Sequence, residues 1–141
     1  MSELNAEVKE FFDGYERANT DFEPQRIATF YADVFMFGAP QGVQSVKKED
    51  FVRVLPRRKE FFKSVGLVSS KVESLEASKL DSKYVLARVT WRMHFEDSTR
   101  NSVDSQIFAT YILSAVGDSF QIVFQLDHQD LMKKVQDLGL K

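Results

Sequence analysis

The chain contains no cysteine, and among its 141 residues there are only two histidines, three prolines and six glycines. Without thiols there is no disulfide framework and no thiolate zinc site, and two imidazoles leave little from which to build a histidine site. No metal or other cofactor is expected, although carboxylates alone can hold magnesium. Blocks of like charge are also missing: nineteen basic residues against twenty-one acidic ones give a formal net charge of -2, so neither nucleic acid nor an anionic membrane is an expected partner. The opening MSELNAEVKEFFDGYERANT mixes charges and holds no apolar run, so a signal peptide or membrane span is not expected there. A reducing, cytoplasmic setting is expected. No stretch is rich enough in Pro, Gly or Ser to act as a linker and none repeats, so residues 1–141 read as one domain with one core.

What the chain has in excess is aromatic rings, at 13% of residues and mostly Phe, more than an average core demands. Their spacing divides the chain in two. Leu4, Val8, Phe11, Phe12, Tyr15 and Ala18 recur at helical spacing after Ser2, a suitable N-cap. Pro24 suits the first turn of a second helix carrying Ile27, Ala28, Phe30 and Tyr31, followed by a short strand over Val34–Phe37 that stops at Gly38-Ala39-Pro40. Val46, Phe51, Val54, Leu55, Phe61 and Phe62 predict a third helix that Pro56 kinks or divides and Gly66 ends.

Beyond Gly66 the period changes from 3.6 to 2. Val68–Leu80 alternates weakly. Lys83–Asp97 alternates clearly, with Val85, Ala87, Val89, Trp91, Met93 and Phe95 on one face and Arg88, Thr90, Arg92, His94 and Glu96 on the other. Arg100–Val116 and Ser119–Asp127 follow, joined by a tight turn at Gly117-Asp118, and a short helix is expected over Gln129–Leu138, ended by Gly139. Helices followed by long antiparallel strands predict an α+β fold, with the helices packed in the concave face of a curled antiparallel sheet.

The segment EVKEFFDGYERANTDFEPQRIATFYADVFMFGAPQG, from Glu7 to Gly42, resembles the opening of ketosteroid isomerases without a gap, and Gly42–Phe51 and the turn at Gly117 fall where that family has a glycine and its last hairpin. The chain thus resembles the nuclear transport factor two-like superfamily, which includes ketosteroid isomerase-like and SnoaL-like proteins with a cystatin-like fold. That resemblance implies a cone with one pocket at its wide end, and a homodimer. It puts Tyr15 in the pocket, where the isomerases use a tyrosine to stabilise an enolate oxygen. The isomerase base aligns with Ala39, preceded by Gly38, and the second oxyanion donor falls near Ala109. A methyl group takes no proton, so steroid isomerisation is excluded.

The pocket candidates are Tyr15, Tyr31, Phe35, Phe37, Ala39, Trp91, Met93 and Gln125. For each aromatic the alternative is plain core packing. Asp127 and His128 form the one adjacent carboxylate–imidazole pair, and with Tyr15 they are the catalytic candidates. Neighbouring strand residues point to opposite faces, so the two are not expected to act as a dyad, and Asp127 also suits an N-cap. Gln106 is a further uncharged donor, while Arg57, Arg58 and Lys59 read as a solvated helix face. Three functions remain open: a binder of a small apolar or aromatic ligand, an enzyme of the polyketide cyclase, dehydratase or isomerase kind using a different base, and a dimerising association module. The last would use an outer sheet face made apolar by Leu86, Phe108, Ile112, Ile122 and Phe124.

Overall fold

The apolar stripe of the first segment forms α1 (Glu3–Thr20), which buries Val8, Phe12 and Ala18 completely. These features come from a computed structural model of the protein, which describes residues 3–97, 99, 101–130, 133 and 137. The Ser2 cap lies outside them, as does most of the helix expected over Gln129–Leu138 with its Gly139 stop. Within them, the Asp130 carboxylate accepts from the Lys133 N–H at 3.1 Å, the capping role that Asp127 was expected to fill.

Pro24 opens α2 (Pro24–Ala28), a helix of five residues. Tyr31 does not belong to it: β1 (Tyr31–Ala39) starts there, and β2 (Gly42–Lys47) pairs back on it antiparallel, Phe35 opposite Val46. Val46 is therefore a strand residue, and α3 (Lys48–Ser64) begins only after it. Pro56 does not divide α3. Gly66 does end it: at φ +89 it adopts a backbone that side chains rarely tolerate, and a Cβ there would lie 2.1 Å from the Glu96 carbonyl oxygen. The hairpin β1–β2 was missed because a six-residue exposed strand has too little alternation to separate it from the helix that follows.

The remaining strands are β3 (Leu67–Lys79), β4 (Tyr84–Glu96), β5 (Ser102–Val116) and β6 (Ser119–Asp127), turning at Gly117 with φ +60. The six strands form one sheet in the order β2-β1-β6-β5-β4-β3, antiparallel except between β1 and β6. The sheet is curled and open, with the helices on its concave side. Phe12 of α1 sits on that side, its ring 4.8 Å from Tyr111 and 6.4 Å from Trp91. Phe51 of α3 packs on Tyr31 and Phe35 at the other end. At the free edge of β3, where unpaired N–H groups would invite another strand, Asn5 and Glu16 of α1 accept from the N–H groups of Ala77 and Val72.

β4 alternates as expected, all six inward residues from Val85 to Phe95 being buried. β6 does not. Leu113 faces Ile122 and Ile112 faces Phe124, which leaves Val123 as an extra, bulged residue. The bulge corrects the expected outer face: Ile122 points inward and is fully buried, while Phe124 stays on the outside. It also turns Gln125 and Asp127 inward, 7% and 9% exposed respectively.

Candidate functional site

Between α1, α3 and the inner faces of β3 to β6 lies a cavity of about 340 Å³. Aromatic and aliphatic side chains form most of its wall, among them Trp91, Met93, Ile107 and Tyr111 from the sheet and Leu55 and Phe62 from α3. The four sheet residues are inward positions of the regularly alternating β4 and β5, so that part of the wall follows from sequence periodicity plus the curl of the sheet.

Polar groups converge on one side of it. Tyr15 and Tyr31 share a hydrogen bond of 2.7 Å, Tyr31 donates to Gln125 Oε1 at 2.6 Å, and Gln125 Nε2 donates to Asp127 Oδ1 at 3.1 Å. Four side chains from three elements thus form one relay, of which Tyr15, Gln125 and Asp127 reach the cavity. Beside it, Trp91 Nε1 donates to the Tyr111 hydroxyl at 3.1 Å.

Burial governs the protonation of this group. Removal from water pushes the Asp127 carboxyl above the usual carboxylate range, against the hydrogen bond from Gln125 and the positive charges of Arg58 and His128. The same desolvation raises the Tyr15 phenol, and raises those of Tyr31 and Tyr111 well above their ordinary value, so the three hydroxyls stay neutral. An uncharged phenol network next to one buried carboxyl group can donate to an oxygen, accept a proton, or both.

Of the pocket candidates, Tyr15, Trp91, Met93 and Gln125 line this cavity. Phe37 and Ala39 line a neighbouring hollow of about 380 Å³ between β1 and α3, and Asp127, Arg58 and Phe62 border both. Tyr31 and Phe35 are buried beneath, 1% and 2% exposed, packed ring to ring at 4.5 Å. Asp127 and His128 part as strand geometry requires: His128 Nε2 is 2.7 Å from Thr110 Oγ1 on the outer side. Gln106 also lies outside, donating to Glu73. Tyr111 and Arg58 are two of the lining residues that the sequence did not point to. Tyr111 has the inward parity of β5, but parity alone does not distinguish a wall from a core. Arg58 sits in a charged run, and only the docking of α3 places it at the cavity mouth. Among the described residues no group of His, Asp and Glu is arranged to hold a metal, and no helix is long and apolar enough to cross a membrane.

Helices held on the concave side of a curled, open six-stranded sheet are the architecture of the nuclear transport factor two-like class. The chain belongs to the family of NTF2-like proteins DUF6841, whose model matches residues 6–130. No curated protein matches it in sequence. Its fold is similar to that of Aln2 from a Streptomyces species, with a TM-score of 0.77 and 13% identity over 95% of this chain and 96% of that one. A protein of Catenulispora acidiphila, solved in complex with S-DNPA, gives 0.74 and 14% over 95% and 98%. A ketosteroid isomerase-like protein from Erwinia carotovora atroseptica gives 0.66 and 12% over 92% and 98%. At such identities the likeness is one of fold.

Proposed function

We propose that the protein binds one small, largely apolar molecule, aromatic or polycyclic, that carries a single oxygen function. The observation that carries this reading is the convergence of Tyr15, Gln125 and Asp127 on one side of a cavity of about 340 Å³ whose exposed wall is mainly apolar, a volume typical of small-molecule sites. The apolar wall supplies affinity through desolvation and the relay supplies orientation. A neighbour in fold, the Catenulispora protein, was solved in complex with S-DNPA, and on this reading the present chain too holds a ligand. Thermal denaturation with a panel of aromatic ketones, phenols and polycyclic alcohols tests it. A ligand at a hundred times its Kd adds about 2.7 kcal/mol to stability. A panel that shifts nothing rejects the reading.

The raised pKa of Asp127 favours a second step on the same site: the carboxylate acts as general acid–base on the bound molecule, in the place of the missing isomerase base at Ala39. Hydrogen–deuterium exchange at the carbon next to the carbonyl of a bound ketone would report it. Asp127→Asn should keep the thermal shift and lose the exchange; retention of exchange returns the protein to pure binding. Pairing of two copies through the outer sheet face is proposed as well, on the exposure of Phe108, Val34 and Met36 there, with sedimentation at micromolar concentration as its check.

A further inference from the structure

The relay has a direction that the carboxylate imposes. An ionised Asp127 only accepts, so the Gln125 amide must present Nε2 to it, which turns Oε1 to Tyr31. Tyr31 then donates its single proton to Gln125, and its oxygen receives the proton of Tyr15. Under these conditions Tyr15 shows the cavity a lone pair and no proton. A neutral Asp127 permits the reverse order. Its O–H donates to Oε1 of a Gln125 amide turned by half a rotation, Nε2 donates to Tyr31, Tyr31 donates to Tyr15, and the Tyr15 proton enters the cavity. No O–H bond in the relay breaks; two hydroxyl torsions and one amide torsion turn.

We infer, resting on the binding reading above, that Tyr15 becomes a hydrogen-bond donor to the ligand only when Asp127 carries a proton, so that the cavity recognises a carbonyl or enolate oxygen in step with the protonation of Asp127. Where the ligand is a ketone with an acidic C–H, the two events are one. The proton moves from carbon to the Asp127 carboxylate, the C–H electron pair stays on the ligand as an enolate, and the negative charge gathers on the oxygen that the freed Tyr15 proton then meets. Base and oxyanion donor are thereby linked through Tyr31 and Gln125, neither of which touches the reacting carbon; both are positioning residues. The groups that act on Asp127 are Tyr15 of α1, Arg58 of α3, Tyr111 of β5 and its chain neighbours Gln125 and, from the outer side of the sheet, His128. Arg57 and Asp130 border the adjoining hollow, and Glu16, Lys59 and Lys63 the cavity; Glu16 is held by the Val72 N–H. Among the described residues none of these charges lies within the series from Tyr15 to Asp127.

The test uses acetophenone, which only accepts, and ethylbenzene, which does neither, titrated by NMR between pH 4 and pH 8 while the Asp127 carboxyl carbon reports its own titration. Acetophenone should tighten roughly five- to tenfold as pH falls through that titration, the equivalent of one hydrogen bond, and ethylbenzene should not change. In Tyr31→Phe the Tyr15 proton has lost its acceptor, so acetophenone should bind at pH 8 as tightly as wild type does at pH 4, with no pH dependence. Gln125→Leu cuts the series one step later, carries the same expectation, and serves if Tyr31→Phe does not fold. A flat acetophenone profile in the wild type, or a pH dependence that survives both variants, overturns the coupling while leaving the binding reading intact. Failure of both compounds to bind removes the binding reading and the coupling together.

Discussion

β4 and β6 stand in the same sheet, separated only by β5, and they obey different rules. Along β4 every second residue from Val85 to Phe95 is apolar and buried, and the outward residues beyond Leu86 are charged or polar, from Arg88 to Glu96. Along β6 the apolar residues Phe120, Ile122, Phe124 and Leu126 also alternate, but one extra residue at Val123 breaks the phase and exchanges the two faces. The regular strand builds a wall. The irregular one brings a carboxylate and an amide into the apolar interior, which unbroken alternation would have kept out. The comparison teaches that the chemistry of this cavity depends on a one-residue shift in register, because a shift of one flips all side chains beyond it.

Deleting Val123 attacks that difference most directly. With the extra residue gone the ladder closes, Ile122 still opposite Leu113 and Phe124 still opposite Ile112, so Gln125 and Asp127 keep facing inward and the relay survives. What is lost is the local bend of β6, with an expected destabilisation of about 3–5 kcal/mol, measured by urea denaturation. A variant of wild-type stability would show that the bend is incidental, and one in which Asp127 titrates as a solvated carboxyl would show that β6 changes register instead of closing. On the regular strand, Phe95→Ala empties a fully buried site and should cost about 3–5 kcal/mol while leaving the Asp127 titration unmoved. Gln125→Leu should cost less, about 1–3 kcal/mol, as Tyr31 loses its acceptor and Asp127 its donor, and should raise the Asp127 pKa further.

Asp127→Asn probes charge rather than packing. The folded pKa of Asp127 is raised, so in the window between its unfolded and folded values the native state holds more protons than the unfolded chain, and stability falls as pH rises through it. Asp127→Asn should remove that slope, leaving melting temperatures flatter between pH 4 and pH 7; an unchanged slope would place the carboxylate in water. The smallest effect is expected outside the cavity. His94 is held above its ordinary pKa by the side chains of Asp104 and Glu96 on the outer face, a contribution present at low pH and lost as pH rises through the raised value. Water screens these exposed partners, so His94→Ala should leave the melting temperature at pH 7 nearly that of wild type.

Legibility in the sequence followed the same division. The stripe of α1, the stop at Gly66, the turn at Gly117 and the inward set of β4 were all readable, since each rests on a repeat or on one backbone requirement expressed locally. Trp91, Met93 and Tyr15 were readable as cavity residues for that reason. The hairpin β1–β2 was not, because its second strand is short and exposed, and Val46 fits a helical spacing as well as a strand. The inward turn of Ile122 was not, because a bulge is defined only by the partner strand. Asp127 was named as a candidate base, but its place in the cavity depends on that same bulge.

By itself the sequence determined the α+β class and the apolar faces, because periodicity is a property of the chain alone; that Ala39 stands where the isomerases have their base is what the resemblance implies. Only the tertiary structure decided that β6 slips by one residue against β5, that α3 brings Arg58 to the cavity mouth, and that Tyr15, Tyr31, Gln125 and Asp127, spread over 113 positions of the chain, meet as a hydrogen-bonded series. Contacts between distant segments are set by packing and strand register, and no local pattern encodes them.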